Sequence, residues 1–115
     1  LRLPSTLKIF NKETKTIIFN KLKNEESGNL VFYKIHEKNG IAEIVKALYE
    51  LKIQSIIIEG GSQLLQSFID ADLWDEVRVI CNEQLTISDG IDSPILKNMG
   101  IQKQERYFSD TINYF

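Results

Sequence analysis

Glu59, Gly60, Gly61 and Ser62 stand together in the stretch IIEGGSQLL, where an apolar run ends in a carboxylate and two glycines lead into a helix-like pattern. A corner that only had to turn could do so with one glycine and no acid. Two glycines remove two side chains, so the backbone can turn tightly and a ligand can approach it. Ser62 is a good N-cap, and the N–H groups of Ser62, Gln63, Leu64 and Leu65 find no partner inside a helix that starts there. Those donors and the helix dipole favour an anion by about 0.3–1 kcal/mol where exposed, and a phosphate suits them. Glu59, as the last residue of its expected strand, faces the crevice in which open α/β sheets take ligands.

The corner is not a P-loop, because no G-x-x-x-x-G-K-S/T occurs in the chain. Nor is it the dinucleotide fingerprint G-x-G-x-x-G: the glycines are adjacent, and Leu64 stands where the last would fall. Glu83 lies about where a ribose-binding acid would be, but it carries no weight without that spacing. Residue types alone leave two readings open, a tight connection or an anion site.

The other reactive side chains read as structural. His36 is the only histidine and has charged neighbours, as a surface residue does. Cys81 continues the alternation Val77, Val79, Cys81 and reads as core. A single cysteine excludes an internal disulfide and suits a reducing, cytoplasmic setting. Without a His/Cys cluster no metal site is expected. Asp75 and Glu76 follow Trp74 at a helix-to-strand junction; Asp75 should accept backbone N–H bonds there and Trp74 cover the core edge. Tyr107, Phe108, Tyr114 and Phe115 form an aromatic patch that is either core or a subunit interface, the interface being preferred.

These residues need a scaffold. Thr16–Asn20 and Asn29–Ile35 read as strands, with Lys21–Gly28 a loop between them. Ile41, Ile44, Val45, Leu48 and Leu51 form one apolar stripe, hence a helix over Ile41–Leu51 capped by Asn39-Gly40. Gln54–Glu59 reads as a strand covered on both faces. A second helix runs from about Ser62 to Ala71, with Leu64, Leu65, Phe68 and Ile69 inward. Glu76–Cys81 is the next strand, and residues 82–100 are irregular around Gly90, Pro94 and Gly100. Gln102–Phe108 and Thr111–Phe115 close the chain as a hairpin around Ser109-Asp110. Strands alternating with helices indicate an α/β fold, with a mostly parallel sheet flanked by helices and an antiparallel C-terminal hairpin.

With 115 residues, 43% hydrophobic and 26% charged, the chain has the make-up of one globular domain, residues 1–115. A net charge of −2 without a basic block argues against nucleic acid as a partner. No apolar run approaches the ~20 residues that span a membrane.

The block IIIEGGSQLLQSFIDADLWDEVRVI, Ile56 to Ile80, resembles the reductase domain of riboflavin biosynthesis. In that family a strand ends in E-G-G, a helix carries L-x-x-x-F, and L-V/W-D-E leads into a strand. LRLPSTLKIF is similar to the segment after its central strand, ISDGIDSPIL to its glycine-containing loop, and SDTINYF to its last strand. The resemblance covers essentially the whole chain. It implies a three-layer fold like that of dihydrofolate reductase, a homodimer, and NADPH as cofactor. The implied reaction turns the ribosyl group of 5-amino-6-(5-phosphoribosylamino)uracil into a ribityl chain. It also implies that Glu59 contacts substrate and that the helix start contacts the nicotinamide nucleotide, which makes Gly60, Gly61, Ser62, Gln63, Leu64, Leu65, Gln66 and Ser67 the candidate cofactor residues. No catalytic residue is assigned.

Three departures accompany the resemblance. The family's opening strand and helix have no counterpart before Leu1, so the chain is expected to be the carboxyl-terminal portion of such a domain. The H-x-E and P-C-x-x-C signature of the deaminase often fused ahead of it is absent. Cys81-Asn82-Glu83 replaces an apolar-Pro stretch. Two rival readings remain: a dihydrofolate-reductase-like enzyme for another pterin or pyrimidine, and a non-catalytic dimerising α/β module.

Overall fold

A computed structural model describes residues 3–36, 40–97 and 99–115. It shows a mixed α/β chain of two small sheets and two helices, divided into two compact units, Leu1–Ile56 and Ile57–Phe115.

In the first unit, a 3-10 turn at Lys8–Phe10 precedes β1 (Thr16–Asn20), β2 (Glu25–Ser27), β3 (Leu30–Lys34) and α1 (Gly40–Glu50). β3 is central, parallel to β1 and antiparallel to β2. The expected loop Lys21–Gly28 therefore contains a strand. Three polar residues carry too little apolar alternation to reveal it, and the turn that pairs it is the clearer signal. Gly28, at φ 62°, takes the first central position of a two-residue hairpin turn that closes Ser27 onto Leu30.

Leu30 and Phe32, two residues apart and so on one face of β3, are buried. Ala47 on α1 is 1% exposed, at the centre of the half-buried stripe Ile41, Ile44, Val45, Leu48 and Leu51. The Tyr33 hydroxyl donates to Glu50 Oε2 of α1 at 3.1 Å. The Glu50 carboxylate at that hydroxyl, ahead of burial, pushes the Tyr33 phenol up. Gly40 is the first residue of α1 rather than part of a cap; the expected cap residue Asn39 lies outside the described residues.

The second unit holds α2 (Ser62–Asp70), β4 (Arg78–Asn82), β5 (Lys103–Tyr107) and β6 (Asp110–Tyr114). β6 lies between β4 and β5, antiparallel to both. The closing hairpin is present, but Phe108 and Ser109 form its turn, one residue earlier than expected. Phe108 takes φ 54° there and is fully exposed.

Several expectations are corrected. Gln54–Glu59 forms no strand, because no described strand pairs with it; Ile57 is 86% exposed instead of covered. Regular pairing in β4 begins at Arg78, two residues after Glu76, although Val77 and Phe115 already exchange backbone hydrogen bonds. Cys81 is exposed, since the face it shares with Val79 is only partly covered in this unit. Leu64 is also exposed, whereas Phe68 is buried and Leu65 and Ile69 half-buried.

Both helices end alike. Lys52 and Asp72, each in the left-handed region, follow the last turns; the next residues, Ile53 and Leu73, donate back to Leu48 and Phe68. This is the Schellman arrangement, normally built on glycine.

Candidate functional site

Glu59 is exposed and has no hydrogen bond or ion pair among the described residues. The two glycines after it differ in what they are for. A Cβ on Gly60 would stand 3.2 Å from Leu64 Cδ2, so close packing accounts for that glycine. A Cβ on Gly61 would meet nothing within 4 Å. Its φ of −68° and ψ of 157° suit any residue. Neither conformation nor a neighbour demands glycine at 61; what its small size leaves is free approach to the helix mouth.

Gly61, not Ser62, is the N-cap of α2, without a side-chain cap. Its carbonyl accepts the N–H of Leu64 at 3.0 Å and of Leu65 at 3.3 Å. The expected set of four free amides thereby shrinks, because the first turn closes tightly on its own cap. Ser62 and Gln63 keep amides with no backbone acceptor among the described residues.

A groove of about 420 Å³ runs beside α2. One wall is the helix face carrying Ser62, Gln63, Gln66, Ser67 and Asp70; the other is the segment 92–95, Asp-Ser-Pro-Ile. From Ser62 to Asp70 the helix rises ~12 Å. Of the candidate cofactor residues, Ser62, Gln63, Gln66 and Ser67 share this groove, while Gly60, Gly61, Leu64 and Leu65 do not line it; nor does Glu59.

Three polar side chains in the groove are already engaged, those of Ser67, Gln66 and Asp70. The Ser67 hydroxyl donates to the Gln63 carbonyl one turn back, at 2.7 Å. Gln66 Nε2 donates to Asp70 Oδ1 at 2.9 Å and to the Ile95 carbonyl at 3.3 Å. Gln66 Oε1 accepts the Ile95 N–H at 2.8 Å. The groove is therefore graded: amides and a positive helix end at Ser62, the carboxylate of Asp70 one helix length away, and Asp92 on the facing segment. Among the described residues, no lysine or arginine lines it. One phosphate fits the amide end, and the carboxylates suit hydroxyl donors and would repel a second anion.

Segment 92–95 was not singled out from sequence as part of a site. Its visible signal was the glycine-containing loop ISDGIDSPIL, but no spacing rule joins position 66 to position 95. Elsewhere, His36 is exposed as expected, its ring 3.1 Å from Glu43 Oε1. Trp74 is half-buried with Nε1 enclosed and unpartnered among the described residues. Asp75 makes no side-chain hydrogen bond among the described residues; next to it, the exposed Glu76 pairs with Arg78. No helix among the described residues is long and apolar enough to cross a membrane.

Comparison with known proteins bears on this corner. The riboflavin biosynthesis protein RibD of Aquifex aeolicus is 31% identical, aligned with all of this chain and 36% of its own length. A 2,5-diamino-6-ribosylamino-4(3H)-pyrimidinone 5′-phosphate reductase of Archaeoglobus fulgidus is 26% identical, aligned with 91% of this chain and 53% of its own. The chain thus spans between a third and somewhat over half of these relatives. Residues 1–84, which include the Glu59-Gly60-Gly61 corner and all of α2, match the RibD C-terminal domain, and the chain belongs to that family.

Proposed function

We propose that the chain is part of an NADPH-dependent reductase of riboflavin biosynthesis, acting on the ribosyl group of 5-amino-6-(5-phosphoribosylamino)uracil. The observation that carries this reading is membership of the RibD C-terminal domain family across the corner and α2. The name of the Archaeoglobus relative favours a second substrate of the same class, 2,5-diamino-6-ribosylamino-4(3H)-pyrimidinone 5′-phosphate, with an amino group at C2 where the uracil has a carbonyl oxygen.

NADPH, when bound, would supply the hydride for C1′ of a ring-opened, imine-like substrate, whose nitrogen would take up the imine electron pair and a solvent proton. The protein's share is positioning and electrostatics. The Ser62 and Gln63 amides hold one phosphate, with Gly61 leaving room for it. Asp70 and Asp92 take ribose hydroxyls, and Glu59 orients a hydroxyl or amine of the substrate. The preference for a 2′-phosphate rests on kinship, since no cation among the described residues lines the groove.

The family match runs unbroken across Ile56 and Ile57, which supports reading both units as parts of one domain of the dihydrofolate-reductase-like three-layer type. A cytoplasmic homodimer completes the reading. The test is to supply the protein with NADPH and each pyrimidine in turn, following nicotinamide absorbance and the mass of the product. A ribityl product formed one-for-one with NADP⁺ is expected; NADPH consumption indifferent to either pyrimidine would end the proposal. Glu59→Gln should lower turnover by more than tenfold while NADPH affinity changes little.

A further inference from the structure

We infer that Gln66 is a positioning residue, whose amide holds segment 92–95 against α2 as the second wall of the groove. This rests on the nucleotide reading above only for what the groove binds, not for the clamp itself. By sequence, Gln66 counts among residues touching cofactor; its hydrogen bonds give it a different task.

Asp70 lies four residues on along α2, within reach of a glutamine on the same face. Its carboxylate can only accept, so Gln66 must turn its NH₂ toward Oδ1, and does so at 2.9 Å. That choice aims Oε1 at the Ile95 N–H, 2.8 Å away, and leaves the second Nε2 proton for the Ile95 carbonyl at 3.3 Å. Both backbone groups of one residue are thus met by one side chain, much as a neighbouring strand would meet them. The local sequence prepares the partner. Pro94 has no N–H and biases Ser93 to an extended conformation, so Ile95 supplies the next backbone donor of the segment. Segment 92–95 has no regular secondary structure of its own, and Gln66 supplies the hydrogen bonds that it lacks.

The experiment compares the protein with Gln66→Met, which keeps length and helix preference but removes all three hydrogen bonds, and Gln66→Glu, which keeps an acceptor for the Ile95 N–H. Amide hydrogen exchange across residues 92–97 is measured together with NADPH titration. Gln66→Met should speed exchange at Ile95 by about tenfold and weaken NADPH binding by a similar factor, with the melting temperature little changed. Gln66→Glu should retain part of the protection. Unchanged exchange in Gln66→Met overturns the clamp. Faster exchange with unaltered NADPH affinity overturns the role of the segment as a wall. If the unaltered protein binds no NADPH, the nucleotide reading fails by itself, and exchange at Ile95 still decides the clamp. Asp70→Ala, a milder change, should loosen Ile95 partially; no change there would remove Asp70 as the orienting group.

Discussion

The unit ending at Ile56 holds most of the buried side chains, whereas the unit beginning at Ile57 holds the groove. Leu30, Phe32 and Ala47 are buried in the first, joined by Asn20, whose side chain bonds the backbone of Ile18, Leu22, Lys23 and Tyr33. In the second, Phe68 alone among the described residues is buried to that degree. Leu85, Ile87 and Ile91 stand exposed in the irregular stretch before β5. Regions with few buried apolar contacts open most easily, and ligand-binding segments are commonly drawn from them. The contrast places stability in one unit and the candidate ligand surface in the other.

The largest expected effect tests the buried residues of the first unit. Phe32→Ala should cost about 3–5 kcal/mol in denaturant unfolding and remove exchange protection from β1 and β3. If it and Phe68→Ala each strip protection evenly from the whole chain, the two units behave as one cooperative body and the contrast fails.

The next test addresses the groove. Gly61→Asp should weaken NADPH binding at least tenfold, about 1.4 kcal/mol, by placing a carboxylate at the helix mouth. Aspartate is nevertheless the better N-cap, so unfolding stability should hold or rise by a few tenths of a kcal/mol. Titration and denaturation on the same sample check both halves; unaltered affinity would remove the corner from binding.

The shared helix terminator sharpens the comparison on a smaller scale. Lys52→Gly should stabilise by about 0.5–1 kcal/mol through relief of its left-handed conformation. Asp72→Gly should give less, because aspartate tolerates that region better. Equal gains would show that side-chain type does not set the strain.

The smallest effect concerns Glu105, whose hydrogen bond from Lys103, ahead of that from Tyr114, holds it below its ordinary 4.5. A depressed carboxylate contributes stability above its unfolded pKa and loses it as pH falls through the folded value. Lys103 is exposed and Glu105 only half-buried, so the loss on acidification should be slight and salt-sensitive. Carboxyl NMR titration should show Glu105 moving back toward its ordinary value in Lys103→Met; an unmoved titration would assign the shift to another cause.

Some of this was legible in the residues. The stripe from Ile41 to Leu51 and the run Leu65, Phe68, Ile69 announce their helices because side chains one turn apart must share a face. β1 was legible to the residue, as a short apolar run bounded by polar segments. The Gln54–Glu59 expectation failed for the opposite reason: three consecutive isoleucines show a wish for cover but cannot supply partner strands. Cys81 was misplaced because alternation gives a face and not what covers it.

The sequence by itself determined the two helices, the closing hairpin and the acid-glycine-glycine corner, all set by interactions within a few residues. Only the tertiary structure decided that Gly61 is open while Gly60 is packed, and that the first turn keeps two of its four amides for itself. It alone brought Gln66 to Ile95, 29 positions away. Periodicity travels along the chain, whereas a wall facing a helix exists only once the chain has closed on itself.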